Sequence, residues 1–335
     1  MNRHLLAALA SSFLVFACDG SEPAGPVPSS SLEELGEELF FDTALSVNRT
    51  QSCATCHDPE RGYVDSRVDE RGERLPVSQG DDGVSFGSRN APSAAYAAFV
   101  PSYTVGSRQR FNKQTQNRLY SGPLGGLFYD GRSSSLEEQS GGPPLSPVEM
   151  GFSNAAEVVA RLASNPRYLA SFEALFGEDV MGDSAQAYAA MQDAIAAYER
   201  TEVFAPFDSK YDRSLRGDAS LSFKELTGRA LFFSEFANCA ICHQLRNNGD
   251  PVGRLTETFS GYEYHNIGVP SNPQARSLSG VAQPDQGLLE RDDVDDPSFL
   301  GLFRTPTLRN VAVTGPYMHN GVFKDLRTVI EFSDR

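Results

Sequence analysis

Tryptophan is absent from the 335 residues, and cysteine, histidine and methionine occur only five times each. A chain this poor in metal-ligating and redox-active side chains can build few such sites, so the positions of those it has are informative. Basic residues are scarce as well, with 29 Lys and Arg against 44 Asp and Glu and a net charge of −15. That balance excludes nucleic acid and anionic lipid as electrostatic partners and suits a basic protein. Long apolar runs are also missing: the one extended run, residues 5–17, is too short to span a bilayer as a helix. What remains is an ordinary globular composition, 40% hydrophobic and 22% charged, in the size range of one to three domains.

The short apolar run follows Arg3 and ends at Cys18, the pattern of a secretory signal, so the chain is expected to be exported to the periplasm. Val15-Phe16-Ala17-Cys18 resembles a bacterial lipobox, in which the cysteine becomes a lipid anchor; an ordinary signal cut nearby is the alternative. Residues 1–18 are therefore read as a signal and 19–31, rich in Pro, Gly and Ser, as a flexible tether.

Setting Cys18 aside leaves four cysteines, and all four fall in two CxxCH motifs, Cys53-Ala54-Thr55-Cys56-His57 and Cys239-Ala240-Ile241-Cys242-His243. This spacing marks covalent attachment of c-type haem: two thiols add across the vinyl groups while the adjacent imidazole reaches the iron. A zinc site of four thiolates is the competing reading, but it leaves both histidines unexplained. His57 and His243 are thus the expected proximal ligands of two haems.

The surroundings of the motifs read as helical. Ser31 with Glu34 and Ser222 with Glu225 have capping-box spacing, each before an apolar stripe, Leu32, Leu35, Leu39 in the first case and Phe223, Leu226, Ala230, Phe233 in the second. Residues 36–41 (GEELFF) match 228–233 (GRALFF), which predicts an internal duplication. Further helices are expected at 154–164 and 184–202, with Tyr188, Met191, Ile195 and Tyr198 in the core. Segments 105–126 and 247–261 read as loops. The predicted architecture is mainly α: two cytochrome c-like domains, 32–204 and 205–335.

Between His57 and Glu149 there is no further histidine and no methionine, so the first haem lacks an obvious sixth ligand and its iron is expected to keep a position open to peroxide. Beside the CxxCH motifs, the chain carries Arg89-Asn90-Ala91-Pro92, Phe128-Tyr129-Asp130-Gly131-Arg132, Leu136-Glu137-Glu138-Gln139, Pro147-Val148-Glu149-Met150-Gly151, His265-Asn266-Ile267-Gly268, Arg304-Thr305-Pro306-Thr307-Leu308-Arg309-Asn310 and Pro316-Tyr317-Met318-His319-Asn320-Gly321. In this order and combination the chain, from about Leu35 onward, resembles the bacterial di-haem cytochrome c peroxidase and MauG superfamily.

The resemblance implies that Glu149 is the acid–base group of the distal pocket and Gln139 the glutamine beside it. It also implies that Tyr129 stands on the electron path between the haems, where relatives usually carry Trp, and that Asn90, Thr314 and Pro316 bind a calcium ion through an amide and two backbone carbonyls. A buried carboxylate suits the first role, since heterolysis of peroxide needs a proton carried from one oxygen to the other. Peroxidases of the family bring a histidine onto the first haem from the loop after the first motif, but residues 78–89 contain none, so no reductive activation is expected. The family's sixth ligand of the second haem, Met or Tyr, falls at Ser333, a poor iron ligand; Met318 is the nearest soft donor.

His265 and His319 are read as packed or haem-contacting rather than ligating, and the acidic run 290–296 as a solvated loop. The implied activity is reduction of hydrogen peroxide to water by electrons from a small cytochrome c or cupredoxin. A MauG-like oxidase of a protein or organic substrate and a non-catalytic electron carrier are the alternatives. A monomer and a homodimer are both compatible with the sequence.

Overall fold

Both serine helix starts are present in the computed structural model, which describes residues 26–110, 119–245 and 256–334. The signal and Cys18 lie outside the described residues. Ser31 accepts a hydrogen bond from the Glu34 N–H and opens α1 (Leu32–Phe41), while Ser222 and Glu225 form a full capping box at the start of α9 (Phe223–Phe232). Between them run α2 (Cys53–Cys56), α3 (Leu136–Ser140), α4 (Gly142–Leu145), α5 (Ala155–Ala163), α6 (Pro166–Phe176), α7 (Ser184–Glu199) and α8 (Lys210–Arg216). The pair α10 (Pro273–Ser279) and α11 (Leu326–Ser333) follows. The chain is mainly α, and no described helix is long and apolar enough to cross a membrane.

The N-terminal core forms where α1 crosses α7. Leu35, Leu39 and Phe40 are fully buried against Ala194, Ile195 and Tyr198, with Phe204 and Tyr63 closing an edge-on aromatic cluster. Burial of each such side chain contributes about 1.5–3 kcal/mol. The crossing is close because residue 36 is glycine: a Cβ there would lie 1.9 Å from the Ala194 carbonyl oxygen. Tyr188, Met191, Ile195 and Tyr198 are all buried, as their spacing predicts. Helix α5 matches the expected element at 154–164, with Asn154 as its cap.

One expectation changes and another is not shown. The segment read as a loop at 105–126 contains an antiparallel pair, β1 (Thr104–Gln109) and β2 (Leu119–Leu124), with Thr104 opposite Leu124. Its strands carry Gly, Ser, Arg and Gln and are largely exposed, so no alternation of apolar residues announced them. A second, short pair joins β3 (Tyr264–His265) to β4 (Phe303–Arg304). The internal duplication is likewise not shown by the packing. Helix α9 buries no residue, and Phe223 and Phe236 are 86% and 88% exposed, because no described helix covers it as α7 covers α1.

Candidate active site

The two attachment motifs are set on short helical turns. Ser52 caps α2 and exchanges hydrogen bonds with Thr55, which places Cys53 and Cys56 one turn apart and His57 at the helix end. The His57 Nδ1–H donates to the Tyr63 carbonyl at 3.2 Å, which fixes the tautomer and leaves Nε2 with its lone pair. In the second motif a 3₁₀ turn, Cys239–Ile241, does the same work, and His243 Nδ1–H donates to the Phe259 carbonyl at 3.0 Å. All four thiols are free. Burial pushes the Cys53 and Cys56 thiols up to about 12 and lowers both imidazoles, His243 to about 4.

His57 and His243 face one continuous cavity of about 1530 Å³. Ordinary ligand sites are about 300–1,000 Å³, so this one has room for more than a single large group. Paired free thiols, an imidazole whose Nδ1 is tied to a backbone carbonyl, and space in front of each fit two covalently held haems.

The FYDGR motif is shaped around Asp130, a buried carboxylate that accepts from Arg89 at 2.5 Å and from Arg132 at 2.9 Å, while the Arg132 guanidinium lies over the Phe128 ring at 3.5 Å. Gly131 has φ +70° and its Cβ would meet the Tyr264 hydroxyl at 2.0 Å, so only glycine fits. This arrangement presents Tyr129 to the cavity. Burial pushes its phenol up to about 12, against the pull of Arg304 and Arg89.

Gln139 on α3 lines the cavity, and so do Asn90, Thr314 and Pro316. The Asn90 amide nitrogen donates to the Pro76 carbonyl at 3.0 Å, which leaves its amide oxygen as the ligand-capable atom. No cluster of three or more His, Cys, Asp or Glu that could hold a metal ion occurs among the described residues. Glu149 is placed differently. It does not line the cavity but sits half-buried beside the first motif, where its charge raises the Cys56 thiol. Burial lifts its carboxyl above the ordinary range, opposed by a hydrogen bond from Ser146 and by Arg132.

Around the second motif, His319 stacks on Phe303 with ring centroids 3.7 Å apart, and His265 lies 3.4 Å from the buried Glu263. Met318 and Ser333 also line the cavity, but the Ser333 hydroxyl donates to the Val329 carbonyl of its own helix at 2.9 Å. In the run 290–296, Glu290 pairs with Arg89 and Asp293 with Arg291, so part of it is engaged rather than solvated.

Three features were not singled out from the sequence: the Arg89 cluster with Asp130, Asp285 and Glu290, the Glu263 cluster with Arg108 and Arg110, and Glu199 on the cavity wall. Only Glu199 had a local signal. It falls on the buried stripe of α7, four residues after Ile195, where an acid is out of place.

Residues 30–220 match the family model for di-haem cytochrome c peroxidase. The chain belongs to the di-haem cytochrome c peroxidase family. It is similar to the methylamine utilization protein MauG of Paracoccus denitrificans, 46% identical over 97% of this chain and 79% of that protein. It is also similar to the cytochrome c551 peroxidase of Pseudomonas aeruginosa, 31% identical over 92% of this chain and 73% of the relative. Among solved structures, the diheme peroxidase BthA from Burkholderia thailandensis superposes with a TM-score of 0.78 at 33% identity, covering 91% of this chain and 72% of that one. Membership in the di-haem peroxidase family implies two c-type haems, in agreement with the two motifs, and an oxidoreductase activity.

Proposed function

We propose that this protein is an exported di-haem oxidoreductase that reacts with hydrogen peroxide at the haem on His57 and receives electrons through the haem on His243. The reading rests on the loop 78–89. It carries no iron-ligating side chain and is tied down: Asp81 accepts from the Thr50 hydroxyl at 2.6 Å and the Asn48 N–H at 2.5 Å, while Gln51 and Arg67 donate to the Gln79 carbonyl. A pinned loop without a donor supports a first site that is open as isolated. When bound, the haem supplies the electrons and the coordination position for peroxide.

The chain's own residues then handle protons and electrons. Glu149, its carboxyl lifted above the ordinary range by burial beside the first motif, is the acid–base group, and Gln139 supplies an amide on the cavity wall. Tyr129 is the aromatic relay toward the second haem. Asn90, Thr314 and Pro316 are proposed to hold one calcium ion, which their common place on the cavity wall supports. The electron donor is a small cytochrome c or cupredoxin in the periplasm, and Cys18 a lipid anchor, supported by the lipobox-like Val15-Phe16-Ala17-Cys18.

A second reading, a MauG-like oxidase acting on a protein or organic substrate, is favoured by the 46% identity to the Paracoccus protein. Both readings need Glu149. Glu149→Gln is expected to retain both haems and to lower peroxide turnover by about 10²-fold or more, the scale of general acid–base catalysis. Steady-state assays with peroxide check this, and activity within about twofold of the parent removes Glu149 from the chemistry.

A further inference from the structure

Seven carboxylates are buried among the described residues, and six are engaged. Asp130 is held by Arg89 and Arg132, Asp65 by Arg67, Asp212 by Arg309, Asp81 by Thr50 and Asn48, Glu263 by Arg108 and Arg110, and Glu257 also has a partner. Glu199 is the seventh. It is 5% exposed, lines the cavity that His57 faces, and makes no side-chain hydrogen bond or ion pair with any described residue.

We propose that Glu199 is a proton-holding positioning residue of the first haem site, a neutral carboxylic acid that offers its O–H as a hydrogen-bond donor into the cavity. An unpaired buried carboxylate is strongly disfavoured, so the group takes up a proton instead. The charged neighbours agree. Arg200, next on the same helix, is committed to Glu137 of α3 at 2.6 Å, and Glu137 itself opposes a second negative charge. The Cys53 thiol on α2 is near enough to be raised by Glu199; Asp193 on α7 faces the same Glu137 and Arg200 pair; Glu37 on α1 is felt by Tyr198. On α5 and α6, Glu157, Arg161 and Arg167 bond within their own surroundings. Burial, the largest cause, lifts the Glu199 carboxyl to about 8, against the pull of Arg200.

Neutral acid and carboxylate act differently on a nearby haem. Ionisation of Glu199 in a wall of low dielectric favours the oxidised state, so the midpoint potential of the first haem falls as pH rises through about 8. The inference rests on that haem occupying the cavity, not on its reaction with peroxide.

Spectroelectrochemical titration of the holoprotein between about pH 6 and pH 9.5 tests it, on the parent, Glu199→Gln and Glu199→Asp. The parent is expected to show a downward break near pH 8, Glu199→Gln none, and Glu199→Asp a break at a different pH. A parent without a break overturns the proposal, as does the parent's break persisting in Glu199→Gln. Should Glu199→Gln fail to fold, a break in Glu199→Asp at the parent's pH overturns it equally. A turnover defect would not enter this measurement, so the peroxidase reading stands or falls separately.

Discussion

Tyr129 shows how one side chain is both locked in place and chemically exposed. Gly131 and Asp130 fix its backbone, and the Tyr129 carbonyl accepts from the Arg304 N–H at 2.8 Å, so the ring cannot drift from the cavity. A phenol must lose its proton when it is oxidised, and burial already holds this one at about 12. Its two charged neighbours, Arg89 and Arg304, are cations rather than bases, so a proton acceptor has to come from within the cavity. Tyr129→Phe keeps the packing and removes the hydroxyl. The variant is expected to react with peroxide as the parent does, while re-reduction of the first site through the second slows by at least about tenfold, or 1.4 kcal/mol of barrier. Stopped-flow spectroscopy checks this, and an unchanged re-reduction rate at every pH would place the electron path elsewhere.

At the scale of elements, the sequence was most legible where one residue type served one purpose. Ser31, Asn154 and Ser222 cap helices as their side chains dictate, and the apolar stripe of α7 is buried throughout. The CxxCH motifs named their own chemistry. The hairpin β1–β2 was not legible, since what holds it is distant: Arg108 and Arg110 reach across to the buried Glu263, which follows the second motif by some twenty residues. Nor could the stripe of α9 reveal that no described helix covers it.

Glu263 is the pin of this contact. Burial alone would raise its carboxyl, but His265, Arg110 and Gln244 hold it down at about 2, below the ordinary 4.5. A depressed carboxyl contributes stability that is present above about pH 4.5 and is lost as the pH falls toward 2. Glu263→Gln is expected to cost about 3–5 kcal/mol at pH 7, and the gap to the parent should narrow below pH 4. Denaturant unfolding of the holoprotein at pH 7 and pH 3 measures both, and a gap that does not change with pH would contradict the role.

At the scale of the whole molecule, the two halves are joined through Arg89, which donates to Asp130 of the first half and to Asp285 and Glu290 of the second. Beside that joint, one cavity runs from His57 to His243, so the two haem sites and Tyr129 share a single interior rather than two separate pockets. The proposed division of labour between the sites is supported by what lies around each. The first has a pinned loop without a donor and two acids lifted by burial, Glu149 and Glu199. The second has no His, Met or Tyr at position 333, where a serine bonds to its own helix. The central claim is therefore that the first iron stands open without reductive activation. Electron paramagnetic resonance of the fully oxidised, as-isolated holoprotein tests it most directly. The account predicts a high-spin ferric signal from the first haem that disappears when peroxide is added. Low-spin signals from both haems as isolated, with a high-spin ferric component absent or appearing only after mild reduction, would contradict it.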